Sequence, residues 1–510
     1  MMRMLAALVA SLIFTLTYAT LAAKSRRTEM VLIPILDVLQ SVPVLGYLSF
    51  TVVFFVSLFP GNALGPELAA IFAVFTSQAW NMAFSFYQSL RTIPTDLDEA
   101  SRSFRFSGWQ RFWRLEVPFA MPGLIWNMMM SMSGGWFFVV ASEAISVGDL
   151  QIALPGIGSY VARAIQDRDL VAIGWAIAAM TVAIVLYDQL LFRPLVAWAD
   201  KFRVEQTAAQ VAPRSWVIDM FRQATLLRRV GEGIGVAIET FQRARLALPL
   251  GAPALRMRPL PSSAVDIFWY ALVVAALAYS FWMLLRFVGP GLSWADVTVV
   301  VKDGILTLLR VAVLIGLATL IWVPIGVAVG LQPALTEKVQ PIAQFLAAFP
   351  ANLLFPVAVF LIVRFDLTPN IWLSPLMILG TQWYILFNVI AGAMAIPTDL
   401  KEVAMIFRFS SVDRWRRLIL PGVFPYLVTG LVTASGGAWN ASIVAEYFRF
   451  KGQTYSTLGV GSTISQATDA GNFDLLLAGT IAMAAAVVTT NRLVWRRLYR
   501  LAETRYKLEA

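Results

Sequence analysis

Residues 94–118 read PTDLDEASRSFRFSGWQRFWRLEVP, and residues 397–421 read PTDLKEVAMIFRFSSVDRWRRLILP. Aligned without a gap, the two stretches agree at 13 of 25 positions, including both terminal prolines and the FRFS block. We call them the first and second twin segments. Agreement at this level indicates an internal duplication, so the chain is expected to contain two related halves.

Composition places these halves in a membrane. Of 510 residues, 59% are hydrophobic and only 14% are charged, which is too little charge to cover a soluble domain of this size. The chain has no Cys and no His, which excludes thiol and His chemistry and Cys/His zinc sites. The sequence also has no G-x-x-x-x-G-K-[ST] phosphate loop and no catalytic cluster of carboxylates. We therefore expect a non-catalytic chain without a metal site.

Apolar runs of about 20 residues, long enough to cross a bilayer, recur along the chain. The predicted spans are 4–22, 44–60, 66–88, 120–142 and 170–192, then 267–288, 306–330, 352–364, 371–394, 422–445 and 475–491. The predicted fold is an all-α polytopic membrane protein with about 11 membrane helices, five and then six.

The first apolar run resembles a signal peptide, but Arg3 to Pro43 aligns with Arg310 to Pro350 inside the chain. It is therefore interpreted as a retained membrane helix. Run 267–288 has no counterpart in the first half. Either the first half does without this helix, or the natural chain starts further upstream.

The distribution of positive charge predicts the orientation. With both twin segments placed in the cytoplasm, the cytoplasmic stretches hold 31 of the 40 Lys and Arg residues. The N-terminus is then outside and the C-terminus is cytoplasmic. The net charge of +10 is explained by topology, so no nucleic-acid partner is expected.

The predicted domains are residues 1–199, a basic linker at 200–266, and residues 267–510. In the linker, Trp216, Ile218, Phe221, Leu226 and Val230 have helix-like spacing with Arg residues between them. This pattern fits an amphipathic helix on the inner membrane face, or a simple tether.

Each twin segment is predicted to form two short helices. The acidic residues after Pro94 and Pro397 suit a helix N-terminus. Ser107 to Gln110 has the spacing of a capping box, and Ser410 with Asp413 is a weaker version. The second short helix is rich in Arg and aromatic residues, which favour protein–protein contacts. The alternative is a basic helix that lies on anionic lipid.

At these residues the twin segments resemble the EAA loop of type I ABC importer permeases, E-A-A-x3-G-x9-I-x-L-P. Glu99-Ala100-Ser101 and Glu402-Val403-Ala404 stand at its start, and the final prolines match. The flanking SQAWNMAFSFYQSLRTIP and MSMSGGWFFVVASEAISVG resemble the nitrate/sulfonate/bicarbonate branch. The family Gly falls on Arg105 and Arg408, so either the turn shifts to Ser107-Gly108 or Arg is tolerated there.

The resemblance implies two tandem MetI-like transmembrane domains related by a pseudo-twofold axis, in a bacterial inner membrane. It also implies two partner ABC ATPase subunits that bind ATP and Mg, an external substrate-binding protein and a small anion as cargo. The residues implied in ATPase coupling are Asp96, Glu99, Ala100, Arg105, Ser107, Gly108, Arg111, Arg114, Asp399, Glu402, Arg408, Ser410, Arg414 and Arg417. The external protein is expected at the Gly-rich loops after spans 120–142 and 422–445.

Polar residues within spans are candidates for a translocation pathway. The candidates are Trp80, Trp136, Glu143, Trp383, Asn388, Trp439, Asn440 and Glu446. The alternative is structural: the glycines pack helices closely, and each Glu caps a segment or pairs with an Arg such as Arg163. The rival function is a gradient-driven secondary transporter with a duplicated fold, which needs titratable relays in mid-span.

Overall fold

The computed structural model describes residues 1–148, 150–167, 169–202, 215–223, 233, 235–236, 239–242, 262–288, 291–450 and 453–506. In these residues the chain is helical apart from two β-hairpins, and the elements of the first half recur in the second. The predicted fold class is confirmed. The sequence interpretation did not include the hairpins.

The first half contains the following elements. Its helices are Met2–Lys24, Arg26–Ser41, Val44–Leu58, Leu64–Arg91, Thr95–Ser103, Gly108–Arg111, Val117–Glu143, Ile157–Asp167, Leu170–Tyr187 and Arg193–Ala199. The π-helical stretches are Phe112–Glu116 and Asp188–Phe192, and a 3₁₀ turn covers Asp200–Phe202. The strands Ala144–Val147 and Leu150–Ala153 pair antiparallel as the first hairpin. A helix of the linker covers Trp216–Gln223.

The second half repeats this order. Its helices are Ser262–Val288, Trp294–Gly330, Pro333–Ala348, Phe355–Arg364, Pro369–Trp372, Leu376–Leu379, Gln382–Met394, Thr398–Ile406, Ser411–Arg414, Leu420–Ala445, Val460–Ala470, Phe473–Thr490 and Arg496–Arg505. The π-helical stretches are Trp415–Ile419 and Asn491–Trp495, and a 3₁₀ turn covers Ala351–Leu353. The strands Tyr447–Phe450 and Gln453–Ser456 form the second hairpin.

Among the described residues, seven helices are long and apolar enough to cross a membrane, or ten if each of three bent helix pairs counts as one span. The helix Ser262–Val288 lies where the remaining predicted span, 267–288, was placed. In the linker, the helix Trp216–Gln223 begins at the predicted residue, whereas Leu226 and Val230 lie outside the described residues.

Two predicted spans, 44–60 and 352–364, are not straight spans, because each is one arm of a bent pair. Arg26–Gln40 with Val44–Leu58 bends by 100°, and Pro333–Ala348 with Ala351–Arg364 bends by 73°. The cause is Pro43 and Pro350, because a residue before proline is pushed out of the α region. Val42 and Phe349 are accordingly extended, with ψ of 123° and 127°.

The predicted span 371–394 is also broken. The pair Pro369–Leu379 and Gln382–Met394 bends by 42° at Gly380-Thr381. Its counterpart in the first half, Leu64–Arg91, is one continuous helix. This break is therefore a difference between the two halves.

Helices of each half contact helices of the other half across a common core. Arg26–Ser41 contacts Phe473–Thr490 of the second half, and Pro333–Ala348 contacts Leu170–Tyr187 of the first half. Buried side chains of both halves form one continuous hydrophobic cluster. The reciprocal contacts agree with the predicted pseudo-twofold arrangement.

Candidate functional site

In each twin segment the turn between the two short helices contains an arginine. Arg105 and Arg408 have φ of 51° and 49°, the left-handed conformation that glycine adopts most easily. The amide of Phe106 donates to the Ser101 carbonyl at 3.1 Å, and that of Phe409 to Ala404 at 3.0 Å. These bonds close the end of the preceding helix. The turn stays at the family glycine position and does not shift to Ser107-Gly108.

The second short helix of each twin segment is capped by a serine. Ser107 Oγ accepts from the Gln110 amide at 3.2 Å, and Gln110 Oε1 accepts from the Ser107 amide at 3.1 Å, which completes the capping box that the spacing predicted. Ser410 Oγ accepts from the Asp413 amide at 3.1 Å. Both helices are therefore fixed at their start, and Gly108 has open space around it.

The two segments present the same exposed charge pattern. Asp96, Glu99, Arg105 and their counterparts Asp399, Glu402 and Arg408 are all exposed. The exposed Arg114 lies 5.7 Å from the centre of the Phe106 ring, and its counterpart Arg417 lies 5.9 Å from Phe409. Each arginine is thus held over an aromatic face while its charge remains in water. Ala100, Ser410 and Arg414 are exposed as well.

Only the first segment is tied to the rest of its half by an ion network. Arg111 contacts Asp98 at 2.6 Å and Glu116 at 3.2 Å, and Glu116 also contacts Lys24 at 3.1 Å. Lys401 and Ile419 stand at the positions that correspond to Asp98 and Glu116. The equivalent network is therefore impossible in the second segment.

A residue of the linker covers the first segment. The ring of Phe241 lies 4.9 Å from Trp109 and 5.3 Å from Trp113, and Trp109 Nε1 donates to the Phe241 carbonyl at 2.9 Å. In the second segment Val412 and Arg416 stand at these positions, and both are exposed. The pair of tryptophans that Phe241 contacts therefore has no counterpart in the second segment.

Three of the four candidate tryptophans contact an aromatic ring of their own half, and the fourth is buried. Trp80 contacts Phe14 at 5.4 Å between ring centres, and Trp383 contacts Trp322 at 4.9 Å. Trp136 contacts Tyr187 at 5.1 Å, and Trp439 is 1% exposed. Asn388 bonds to a carbonyl of its own helix at 2.8 Å.

The two candidate glutamates, Glu143 and Glu446, each form an ion pair and bind a backbone amide. Arg3 contacts Glu143 at 2.8 Å, and the corresponding Arg310 contacts Glu446 at 3.1 Å. Glu143 also accepts from the Gly158 amide at 2.7 Å, and Glu446 from the Gly461 amide at 2.8 Å. Each glutamate thereby caps the short helix after its hairpin.

The predicted local partner Arg163 is not the one used. It contacts Asp167 at 2.8 Å on the surface of its own helix. The physical reason is the chain path, because the first turn of Met2–Lys24 brings Arg3 against the end of Val117–Glu143. Arg3 also contacts Glu67 at 2.6 Å.

A cavity of ≈ 80 Å³ lies between the halves. The helices Val117–Glu143 and Leu420–Ala445 supply Ser133, Gly134 and Asn440, and the broken helix supplies Thr381 and Tyr384. Of the eight predicted pathway residues, only Asn440 lines it. The polar residues Ser133, Thr381 and Tyr384 were not predicted. The Gly380-Thr381 interruption of an apolar run was the available signal.

The two hairpins lie at the end of the molecule opposite the twin segments, and we call this end the hairpin end. Asp469 connects the two hairpins there. It accepts from Ser146 Oγ at 3.1 Å and contacts Arg449 at 2.9 Å. The Gly148 amide donates to the Thr468 carbonyl at 2.9 Å. Burial raises the pKa of Tyr447, and the hydrogen bond with the Asp469 carboxylate raises it further.

With this geometry described, the chain can be compared with known proteins. A family model described as "Binding-protein-dependent transport system inner membrane component" matches residues 11–193 and again residues 321–507. The chain belongs to this family. The two matches confirm the resemblance to type I ABC importer permeases, with both transmembrane domains in one chain.

Several relatives carry transport names. The chain is 31% identical over 156 residues to the bicarbonate transport system permease protein CmpB of Synechococcus elongatus, covering 31% of this chain and 52% of the relative. It is 28% identical over 173 residues to the nitrate import permease protein NrtB of Leptolyngbya laminosa, 34% and 58% of the two chains. It is 30% identical over 183 residues to the glycine betaine/proline betaine permease ProW of Escherichia coli, 36% and 48%. The chain spans about half the length of these relatives.

Proposed function

We propose that this chain forms the translocation pathway of an ABC importer and couples to two separate ATPase subunits through its twin segments. The observation that carries the proposal is the repeated geometry of these segments. Both have a capped short helix, a left-handed arginine and an arginine held over phenylalanine. Two such surfaces on a pseudo-twofold scaffold suit a pair of related subunits.

The proposed orientation places the twin segments in the cytoplasm. The excess of Lys and Arg on this side supports it, with 31 of 40 in the stretches assigned there. The hairpin end is then outside and receives the substrate-binding protein. Residues 1–199 and 267–510 act as the two permease domains, and 200–266 join them at the cytoplasmic face. ATP and Mg bind to the partner subunits, and the spans face lipid.

The proposed cargo is a small anion. Relatives named for bicarbonate and nitrate support this class. Glu143 and Glu446 do not oppose an anion pathway, because each is neutralised by an arginine. Those ion pairs also disfavour a proton relay through these carboxylates.

The experiment is co-purification of the detergent-solubilised chain with its ATPase subunits. The wild type is compared with Glu99→Arg/Glu402→Arg, and Glu337→Arg provides an exposed control outside the twin segments. We expect the double variant alone to lose the ATPase. If the folded wild type binds no ATPase and takes up anions along an ion gradient, the chain is instead a secondary transporter.

A further inference from the structure

One wall of the cavity between the halves is formed by a broken helix. The helix Gln382–Met394 begins at this wall, after the 42° bend at Gly380-Thr381. The N-terminus of a helix presents amide donors and the positive end of the helix dipole. In transporters, broken helices of this kind mark sites at the middle of the membrane.

Two side chains at this helix start offer hydroxyl groups to the cavity. Thr381 Oγ1 is buried and has no hydrogen-bond partner among the described residues. The Tyr384 side chain is 7% exposed and lines the same cavity. Its hydroxyl lies 3.6 Å from the point where a Cβ on Gly134 would be. A buried hydroxyl without a partner is costly unless a solute or water completes it.

The first half carries different side chains at the corresponding positions. Gln78 and Asn81 occupy the positions that correspond to Thr381 and Tyr384. Gln78 Nε2 contacts Met4 Sδ at 3.0 Å, and Asn81 Oδ1 accepts from Gln40 at 2.6 Å. Neither residue lines the cavity, whose polar lining consists of Thr381, Tyr384 and Asn440 of the second half and Ser133 of the first.

Cavity size limits the ligand. An apolar cavity of about 150 Å³ accepts benzene, and the present cavity of ≈ 80 Å³ has roughly half that volume. A planar oxyanion such as nitrate or bicarbonate fits this volume, whereas a betaine with its trimethylammonium group does not. None of the lining residues is charged. Neutral donors bind an anion weakly enough to release it, as passage through a pathway requires.

We propose that this cavity is a transit site for a small planar oxyanion, which accepts hydrogen bonds from Tyr384 and Thr381 at the start of Gln382–Met394. The proposal rests on the proposed permease function and adds the substrate class and the residues that bind it. On this proposal the permease itself selects small planar oxyanions over betaine by the size of the cavity.

The test uses three variants of the full chain. Tyr384→Phe removes the hydroxyl and keeps the ring. Gly134→Ala places a methyl group in the cavity, with the Tyr384 hydroxyl as its nearest neighbour. Gly436→Ala is the matched control, because a Cβ there meets nothing within 4 Å.

Two measurements separate the site from the transport function. In proteoliposomes containing the complete importer, Tyr384→Phe should raise KM for labelled nitrate or bicarbonate about fivefold, the loss of about one hydrogen bond. Gly134→Ala should also raise KM, because its methyl group occupies part of the cavity. Nitrate and bicarbonate should also be added separately to the purified chain without ATPase, and the change in its Tm measured. We expect a rise for at least one anion in the wild type and in Gly436→Ala, and a smaller rise in the other two variants.

The inference is overturned if neither anion raises Tm of the wild type, or if Gly436→Ala loses the effect as fully as Gly134→Ala. ATP-driven uptake of betaine but of neither anion also refutes it, while the permease function stands. An anion-dependent Tm shift that requires Tyr384, in a chain that binds no ATPase, keeps the site and removes the ABC coupling.

Discussion

Replacing Glu446 with Gln removes a buried charge without changing the shape of the side chain. Glu446 is fully buried and contacts Arg310 at 3.1 Å, Thr307 at 2.8 Å and the amides of Gly461 and Ser462 at 2.8 and 3.2 Å. The glutamine oxygen can still accept from the amides. The ion pair is lost. The Arg310 side chain, which is 19% exposed, then has no carboxylate partner at this position.

Breaking a buried ion pair costs about 3–5 kcal/mol. We expect the lower end, about 3 kcal/mol, because Arg310 keeps its bonds to Thr457 Oγ1 and the Leu458 carbonyl. Thermal unfolding of the purified chain, followed by intrinsic Trp fluorescence, should show a Tm lower by several degrees. Glu143→Gln should lower Tm less, because Arg3 keeps a second carboxylate partner, Glu67, at 2.6 Å.

The control is Arg163→Gln, which removes an exposed pair with Asp167 and should change stability by no more than about 1 kcal/mol. If Arg163→Gln lowers Tm as much as Glu446→Gln, or if Glu446→Gln leaves Tm unchanged, the carboxylates do not stabilise the hairpin end as described.

Three further changes test other parts of the structure. Phe241→Ala removes two aromatic contacts of about 0.5–1.5 kcal/mol each, so the Trp fluorescence of the first twin segment should shift to longer wavelength; an unchanged spectrum contradicts the contact. Arg105→Gly and Arg408→Gly relieve left-handed strain of about 1 kcal/mol, partly offset in the unfolded chain, and should slow hydrogen exchange of the amides that close the turns; faster exchange refutes this. Asp469→Asn removes a negative charge, so the pKa of Tyr447 should fall toward its usual value in an alkaline ultraviolet titration, with an unshifted titration as the contrary result.

The sequence predicted features that depend on local physics. The capping box at Ser107 follows from an interaction between neighbours in the chain, and the structure confirms it. The bends before Pro43 and Pro350 have an equally local cause, but apolar length alone hid them, because the arms 44–60 and 352–364 resemble separate spans.

Other features depend on packing between distant residues. The sequence offered Arg163 as a partner for Glu143, whereas the fold brings in Arg3 from 140 positions away. The cavity at Tyr384 and Thr381 exists only because two halves meet across a broken helix. The contact of Phe241 with Trp109 joins positions separated by 132 residues, and no periodicity in the chain encodes it.

Cross-linking from single cysteines tests the coupling role of the twin segments most directly. The chain has no Cys, so an introduced residue is the only thiol in it. Glu99→Cys and Glu402→Cys place that thiol on the exposed face of each twin segment, and Leu458→Cys, at a residue 62% exposed at the hairpin end, is the control. The proposed function predicts that both twin-segment thiols cross-link to an ATPase subunit and that the control does not. Absence of a cross-link at both segments, in a complex that hydrolyses ATP, would contradict it.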